Sequence, residues 1–205
     1  MSKMDEQILV TPREKIFENE SLAFQGVNSD KDNLNKVLEN IETNFSVMRR
    51  GDAEDNFNYK QPIPYAVVRR VNEVFVYKRL TGGGEKRLHN QLSIGVGGHM
   101  NKINTGNFEI QLFENLRREL DEELDIQSST KKLEIIGLIN DDGNEVGKVH
   151  IGLLATVDLD RKATVKVKET EQLEGEWINV KSLVDTEVYD NLETWSQFVA
   201  DILNK

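Results

Sequence analysis

The chain contains no cysteine. That excludes a disulfide scaffold, a thiolate zinc site and a cysteine nucleophile, and it is compatible with a reducing cytosol. Long apolar runs are missing too. Nothing approaches the roughly 18 apolar residues of a membrane span, and the opening MSKMDEQILVTPREK lacks the apolar centre of a signal peptide. Cations are in short supply: 26 Lys and Arg stand against 36 Asp and Glu, a formal net charge of −10. Such a surface repels phosphate backbones and anionic lipid, so neither nucleic acid nor a membrane is an expected partner. An anionic substrate would need a local positive charge, which a bound metal ion supplies. The expectation is a cytoplasmic globular protein, and 205 residues suit one domain with additions.

What is present divides the chain into an N-terminal extension, residues 1–58, and a domain spanning 59–205. In the extension, Ile8-Leu9-Val10 reads as a short strand. Leu34, Val37, Leu38, Ile41 and Phe45 recur at helical spacing, giving one helix with a single apolar face. Arg49 to Lys60 reads as a linker or exposed loop. Beyond Pro62 and Pro64, Ile63–Arg70 and Glu73–Leu80 form a strand pair with a tight turn. Leu88–Val96 is a further strand that ends in Gly97-Gly98-His99. A long helix from Phe108 to Leu124 follows. Strands return at Leu133–Ile139, Lys148–Val157, Thr164–Val167 and Trp177–Val180, and a last helix runs from Asn191 to Leu203. This order implies an α/β or α+β layered domain.

The central helix carries the chemistry. Around it, Leu112, Phe113, Leu116, Leu120 and Leu124 form an apolar stripe. Glu119 and Glu123 lie one turn apart at the edge of that stripe, with Glu122 beside them. Clustered carboxylates near a core repel one another unless a cation intervenes. Oxygen donors of this kind suit Mg²⁺ or Mn²⁺. A plain charged surface explains the same pattern, since Glu114, Arg118 and Glu122 have ladder spacing.

Arg118-Glu119-Leu120-Asp121-Glu122-Glu123-Leu124-Asp125-Ile126, preceded by Gly97-Gly98, resembles the end of the Nudix box, REUxEExGU with U aliphatic. The resemblance runs from Pro62 to Val184 and includes Gly175-Glu176-Trp177-Ile178-Asn179-Val180. It implies an α/β/α sandwich with a mixed sheet. It also implies Mg²⁺ or Mn²⁺ held by Glu119, Glu122, Glu123 and the Gly98 carbonyl. Glu119, Glu122 and Arg118 become the catalytic set, with Arg118 orienting a carboxylate. The implied reaction is attack of water on a diphosphate linkage of a nucleotide-type small molecule, and homodimers are frequent in the family. Two positions depart from the box: Ile110 stands where the family has a glutamate, and Asp125 where it has a glycine. Some branches carry a substrate-marking proline or tyrosine beyond the box. The corresponding window, Asp141 to Asn144, has neither, and no proline follows Pro64.

Other residues have two readings each. Arg79 and Arg87, flanking Gly82-Gly83-Gly84, are candidate anion contacts. His99 is a candidate substrate contact because it follows Gly98, and His150 is either a proton-transfer group or a structural histidine. Asn140 to Glu145 reads as a hairpin turn that could also lend a carboxylate. The rival functions are a catalytically silent sensor on the same fold and a diphosphate isomerase. The isomerase is set aside for want of a cysteine.

Overall fold

The structure is a computed structural model that describes residues 2–79, 91–103, 107–168 and 173–205. Its strands are β1 (Gln7–Pro12), β2 (Gly26–Asn28), β3 (Ser46–Arg49), β4 (Tyr59–Arg70), β5 (Glu73–Arg79), β6 (Leu92–Ser93), β7 (Gly95–Gly97), β8 (Leu124–Gln127), β9 (Lys131–Asn140), β10 (His150–Leu159), β11 (Thr164–Val167) and β12 (Leu173–Asn179). Its helices are α1 (Arg13–Ile16), α2 (Lys31–Asn44), α3 (Arg50–Ala53), α4 (Phe108–Glu123), α5 (Glu145–Val149), α6 (Thr186–Tyr189) and α7 (Thr194–Leu203). The fold is α/β with a large mixed sheet, as expected. Ten strands share one sheet, whose main hydrogen-bonded path is β12-β5-β4-β10-β9-β2, and β8 pairs with β11 in a second. None of the described helices is long and apolar enough to cross a membrane.

The chain forms two compact units. One comprises Met1–Tyr65, Gly97–Arg117 and Ile136–Leu154; the other comprises Ala66–Val96, Arg118–Ile135 and Ala155–Lys205.

In the first unit, Ile8, Leu9 and Val10 are all buried, so β1 is apolar on both faces rather than alternating. It pairs antiparallel with β3, from Gln7↔Arg49 to Val10↔Ser46, and its end meets β4 at Thr11↔Lys60. Ile8, Val10 and Ala53 pack with Met48 and Tyr59. Residues 49–60, expected to be an exposed loop, therefore hold the end of a strand, a helix and a buried alanine. Asp30 caps α2, its carboxylate accepting from the Asn33 N–H at 2.9 Å. Leu34, Val37 and Ile41 bury one face of that helix. The expected hairpin turn at Asn140–Glu145 turns but leads into α5, because the Asn144 side chain accepts from the Gly147 N–H at 2.8 Å and caps a helix. The strand expected from Lys148 consequently starts at His150.

In the second unit, β4 and β5 form the expected hairpin, with Arg69↔Val74 and Arg70↔Glu73 in register. β12 lies against β5 from Leu173↔Arg79 to Asn179↔Glu73. The Trp177↔Phe75 pair meets edge to face at 5.4 Å, and the Arg70 guanidinium lies 4.2 Å from the Trp177 ring centre. The last helix, expected from Asn191, starts at Thr194, so Leu192 precedes it; the buried face of α7 is Ser196, Val199 and Ala200.

The hairpin turn holds Val71 at φ 51°, on a residue that is 68% exposed. A β-branched residue is strained there, and the left-handed region costs about 1–2 kcal/mol for a residue with a Cβ. Val71→Gly should raise the midpoint of thermal unfolding, by stability on the order of 1 kcal/mol less the entropy that glycine loses on folding. An unchanged or lower midpoint would show that the side chain offsets the strain.

Candidate functional site

Helix α4 starts at an Asn107 cap, whose side-chain oxygen accepts from the Ile110 N–H at 2.9 Å. Of the expected stripe, Leu112, Leu116 and Leu120 are buried along it and Leu124 just past its end, while Phe113 is half-buried. Asn115, 1% exposed, breaks the apolar pattern for a reason. Its side chain accepts from the Asn101 N–H at 2.8 Å and donates to the Asn101 carbonyl at 3.0 Å. In the same unit, Leu9 N–H donates to the Met100 carbonyl at 2.7 Å. The segment after Gly98-His99 is thereby pinned to β1 and to the first half of α4. Gly97 is required by close approach: a Cβ there would stand 2.4 Å from the Pro64 carbonyl oxygen.

The second half of α4 belongs to the other unit and carries Arg118, Glu119, Glu122 and Glu123. Arg118 Nη2 lies 2.7 Å from Glu119 Oε1 and Nη1 lies 3.4 Å from Glu122 Oε1. The Glu119 side chain is 12% exposed and that of Glu122 is 60% exposed. One carboxylate oxygen of Glu123 is buried. The three carboxylates therefore range from the buried edge outward, with one guanidinium between two of them. Lys168 closes the end of this helix: its N–H donates to the Glu123 carbonyl at 2.8 Å, and its ammonium donates to the Asp121 carbonyl. A cation at a helix C-terminus also complements the dipole. The chain then passes straight into β8, so Asp125, at the box-glycine position, is a strand residue paired with Lys166.

Gly98 and His99 fall in the first unit. His99 Nε2 is 2.7 Å from Gln61 Oε1, 3.2 Å from His150 Nε2 and 3.7 Å from Glu54 Oε1. Glu54, in the stretch taken for a linker, gave no sequence signal. Arg87 and the side chain of Arg79 lie outside the described residues. Asp141, Asp142 and Glu145 are engaged structurally. Asp141 accepts from Gln25, Gly143 and Asn144. Glu145 meets Lys148 at 2.7 Å. Asp142 takes both arms of the Arg13 guanidinium at 2.8 and 2.9 Å and the Lys60 ammonium at 2.9 Å. Burial pushes the Asp142 carboxyl up, but hydrogen bonds from Arg13, Lys60 and Asn140 outweigh that and hold it well below the usual carboxylate range. Burial pushes the Lys60 ammonium down by more than Asp142 restores.

Carboxylate oxygens on one helix end are the donor type that a hard divalent cation takes. Glu119, Glu122 and Glu123 are of that type, but among the described residues the group whose ligand atoms gather within 4.8 Å is Glu54, His99 and His150.

No family model matches the chain. Protein YmaB of Bacillus subtilis (strain 168) is 53% identical over 205 residues, covering 99% of this chain and 100% of YmaB. Among solved structures, Tm1382, a candidate Nudix hydrolase, aligns with a TM-score of 0.78 at 28% identity, covering 97% of this chain and 98% of its own. The α/β fold built above is thus shared over nearly the full length of a solved protein, and the sequence over nearly the full length of a bacterial one: the chain belongs to the family of YmaB.

Proposed function

We propose that the protein is a metal-dependent hydrolase that cleaves a diphosphate linkage in a nucleoside diphosphate derivative or a related organic pyrophosphate. The observation that carries this reading is the Arg118–Glu119 pair at 2.7 Å on a partly buried helix edge, with Glu122 and Glu123 within the next turn. The fold shared with the candidate Nudix hydrolase Tm1382 supports it. Glu119, Glu122 and Glu123 would hold Mg²⁺ or Mn²⁺, which when bound supplies positive charge to a phosphoryl oxygen and acidity to water.

The chain's own residues do the rest. Arg118 fixes Glu119 in one rotamer and shares its second arm with Glu122, so two carboxylates are oriented before substrate arrives. One of these carboxylates, or a loop carboxylate, takes the proton from water. The guanidinium spends its charge on these carboxylates and is a positioning group.

Ile110, where the family box has a glutamate, is 44% exposed and brings no carboxylate to the helix. That favours a second reading, a nucleotide-binding sensor without turnover. A panel of nucleoside diphosphate derivatives incubated with Mg²⁺ or Mn²⁺ separates the two. The hydrolase releases phosphate-containing products with metal and stops when a chelator removes it. Metal-dependent nucleotide binding with no product would sink the hydrolase and favour the sensor.

A further inference from the structure

We propose that Glu54, His99 and His150 form a binding site for a transition-metal ion of the zinc type, with a donor set that includes none of the carboxylates of α4. All three sit in the first unit, and one ligand atom from each lies within 4.8 Å of the others.

The hydrogen bonds around His150 settle its tautomer. Its Nδ1 is 2.7 Å from the Val146 carbonyl oxygen. A carbonyl only accepts, so Nδ1 carries the hydrogen and Nε2 presents a lone pair. A histidine anchored to a backbone carbonyl through its far nitrogen is the usual arrangement for a metal ligand. His150 is 7% exposed, so its Nε2 lies in a largely dry interior.

That lone pair faces His99 Nε2 at 3.2 Å, and His99 Nε2 stands 3.7 Å from Glu54 Oε1. Ligands bound tetrahedrally at 2.0–2.2 Å are about 3.4 Å apart. The two separations bracket that value. Glu54 is itself held by Arg50 Nε at 3.1 Å, which fixes its carboxylate.

With Gln61 Oε1 toward His99 Nε2, the Gln61 Nε2 is buried without a hydrogen-bond partner. A cation between the rings takes the lone pairs of His150 Nε2 and His99 Nε2 and the Glu54 charge, and replaces the His99 contact with Gln61. Two imidazoles with one carboxylate select zinc-like ions over Mg²⁺ or Ca²⁺. Three protein ligands leave a fourth position for water or another small ligand.

The test is Zn²⁺ binding by the metal-free full chain, by equilibrium dialysis, with Glu54→Gln, His99→Gln and Glu122→Gln in parallel and folding checked by circular dichroism. The Zn²⁺ ion bound at the lowest free concentration should be retained by the wild type and Glu122→Gln. It should bind at least about tenfold more weakly in Glu54→Gln and His99→Gln, each having lost a direct ligand. Glu54 is at the partly exposed edge, so its amide variant keeps the test open if His99→Gln misfolds. Undiminished tight binding in a folded Glu54→Gln variant, or no tight binding by the wild type, would overturn the proposal.

Discussion

Glu119→Gln should lower turnover of the diphosphate substrate on the order of a hundredfold or more, with the fold unchanged. The amide keeps the shape of the side chain and removes its charge. Glu119 is well enclosed, at 12% exposure, and lies 2.7 Å from Arg118. Its loss has two consequences. The proposed cation loses strength at one of its ligands, so the Mg²⁺ concentration for half-maximal rate rises. Arg118 also loses its charged partner at Glu119, which costs orientation even at saturating metal. The expected result is therefore a fall in kcat that added Mg²⁺ only partly restores. Full restoration by metal would make Glu119 a ligand without a positioning role. Unchanged kinetics would remove it from the site.

Lys60→Met should be the most destabilising single change considered, by about 3 kcal/mol, the low end of what breaking a buried ion pair costs. At 0% exposure, Lys60 binds Asp142 at 2.9 Å and the Gly147 carbonyl at 2.9 Å. Methionine fills the stem's volume but leaves that carbonyl without its ammonium donor and Asp142 with one cation fewer. Arg13 and Asn140 still reach Asp142, which places the estimate at the low end. Urea unfolding measures it, and a change below about 1 kcal/mol would mean the site rehydrates. The acid dependence follows from the same contacts. Asp142 is held below its ordinary value in the folded chain, so its contribution is full above the ordinary carboxylate range and is lost as pH falls through and below it. The acid loss should be shallower in Lys60→Met, where one of the groups depressing Asp142 is gone.

Residues that speak through their own element were legible in the sequence. Leu34, Val37 and Ile41 announced α2, and Leu112, Leu116 and Leu120 announced α4, because one buried face repeats every helical turn. The β4–β5 pair showed in its runs of Val, Tyr and Phe. The carboxylates of α4 were visible for the same reason, since their spacing alone puts them on one helix edge. Among elements of three to five residues, β11 showed in the run Thr164–Val167, but α1, β2, β3 and α3 did not: they are too short to show a period, and contacts with distant parts of the chain make them. β8 was hidden because Leu124 continues the apolar stripe of α4 while Lys168 and β11, far along the chain, end the helix. The histidine cluster was beyond reach for a similar reason. His99 and His150 drew notice singly, but Glu54 lies in a polar stretch, and only tertiary folding brings it within 3.7 Å of His99.

The most direct test is to compare wild type and Glu122→Gln on whichever panel substrate is hydrolysed, at saturating Mg²⁺, following phosphate-containing products. The account predicts metal-dependent product from the wild type and a variant that is folded and nearly silent. A variant as active as the wild type would contradict it, because the carboxylates of α4 would then be a charged helix surface and the chemistry would lie elsewhere.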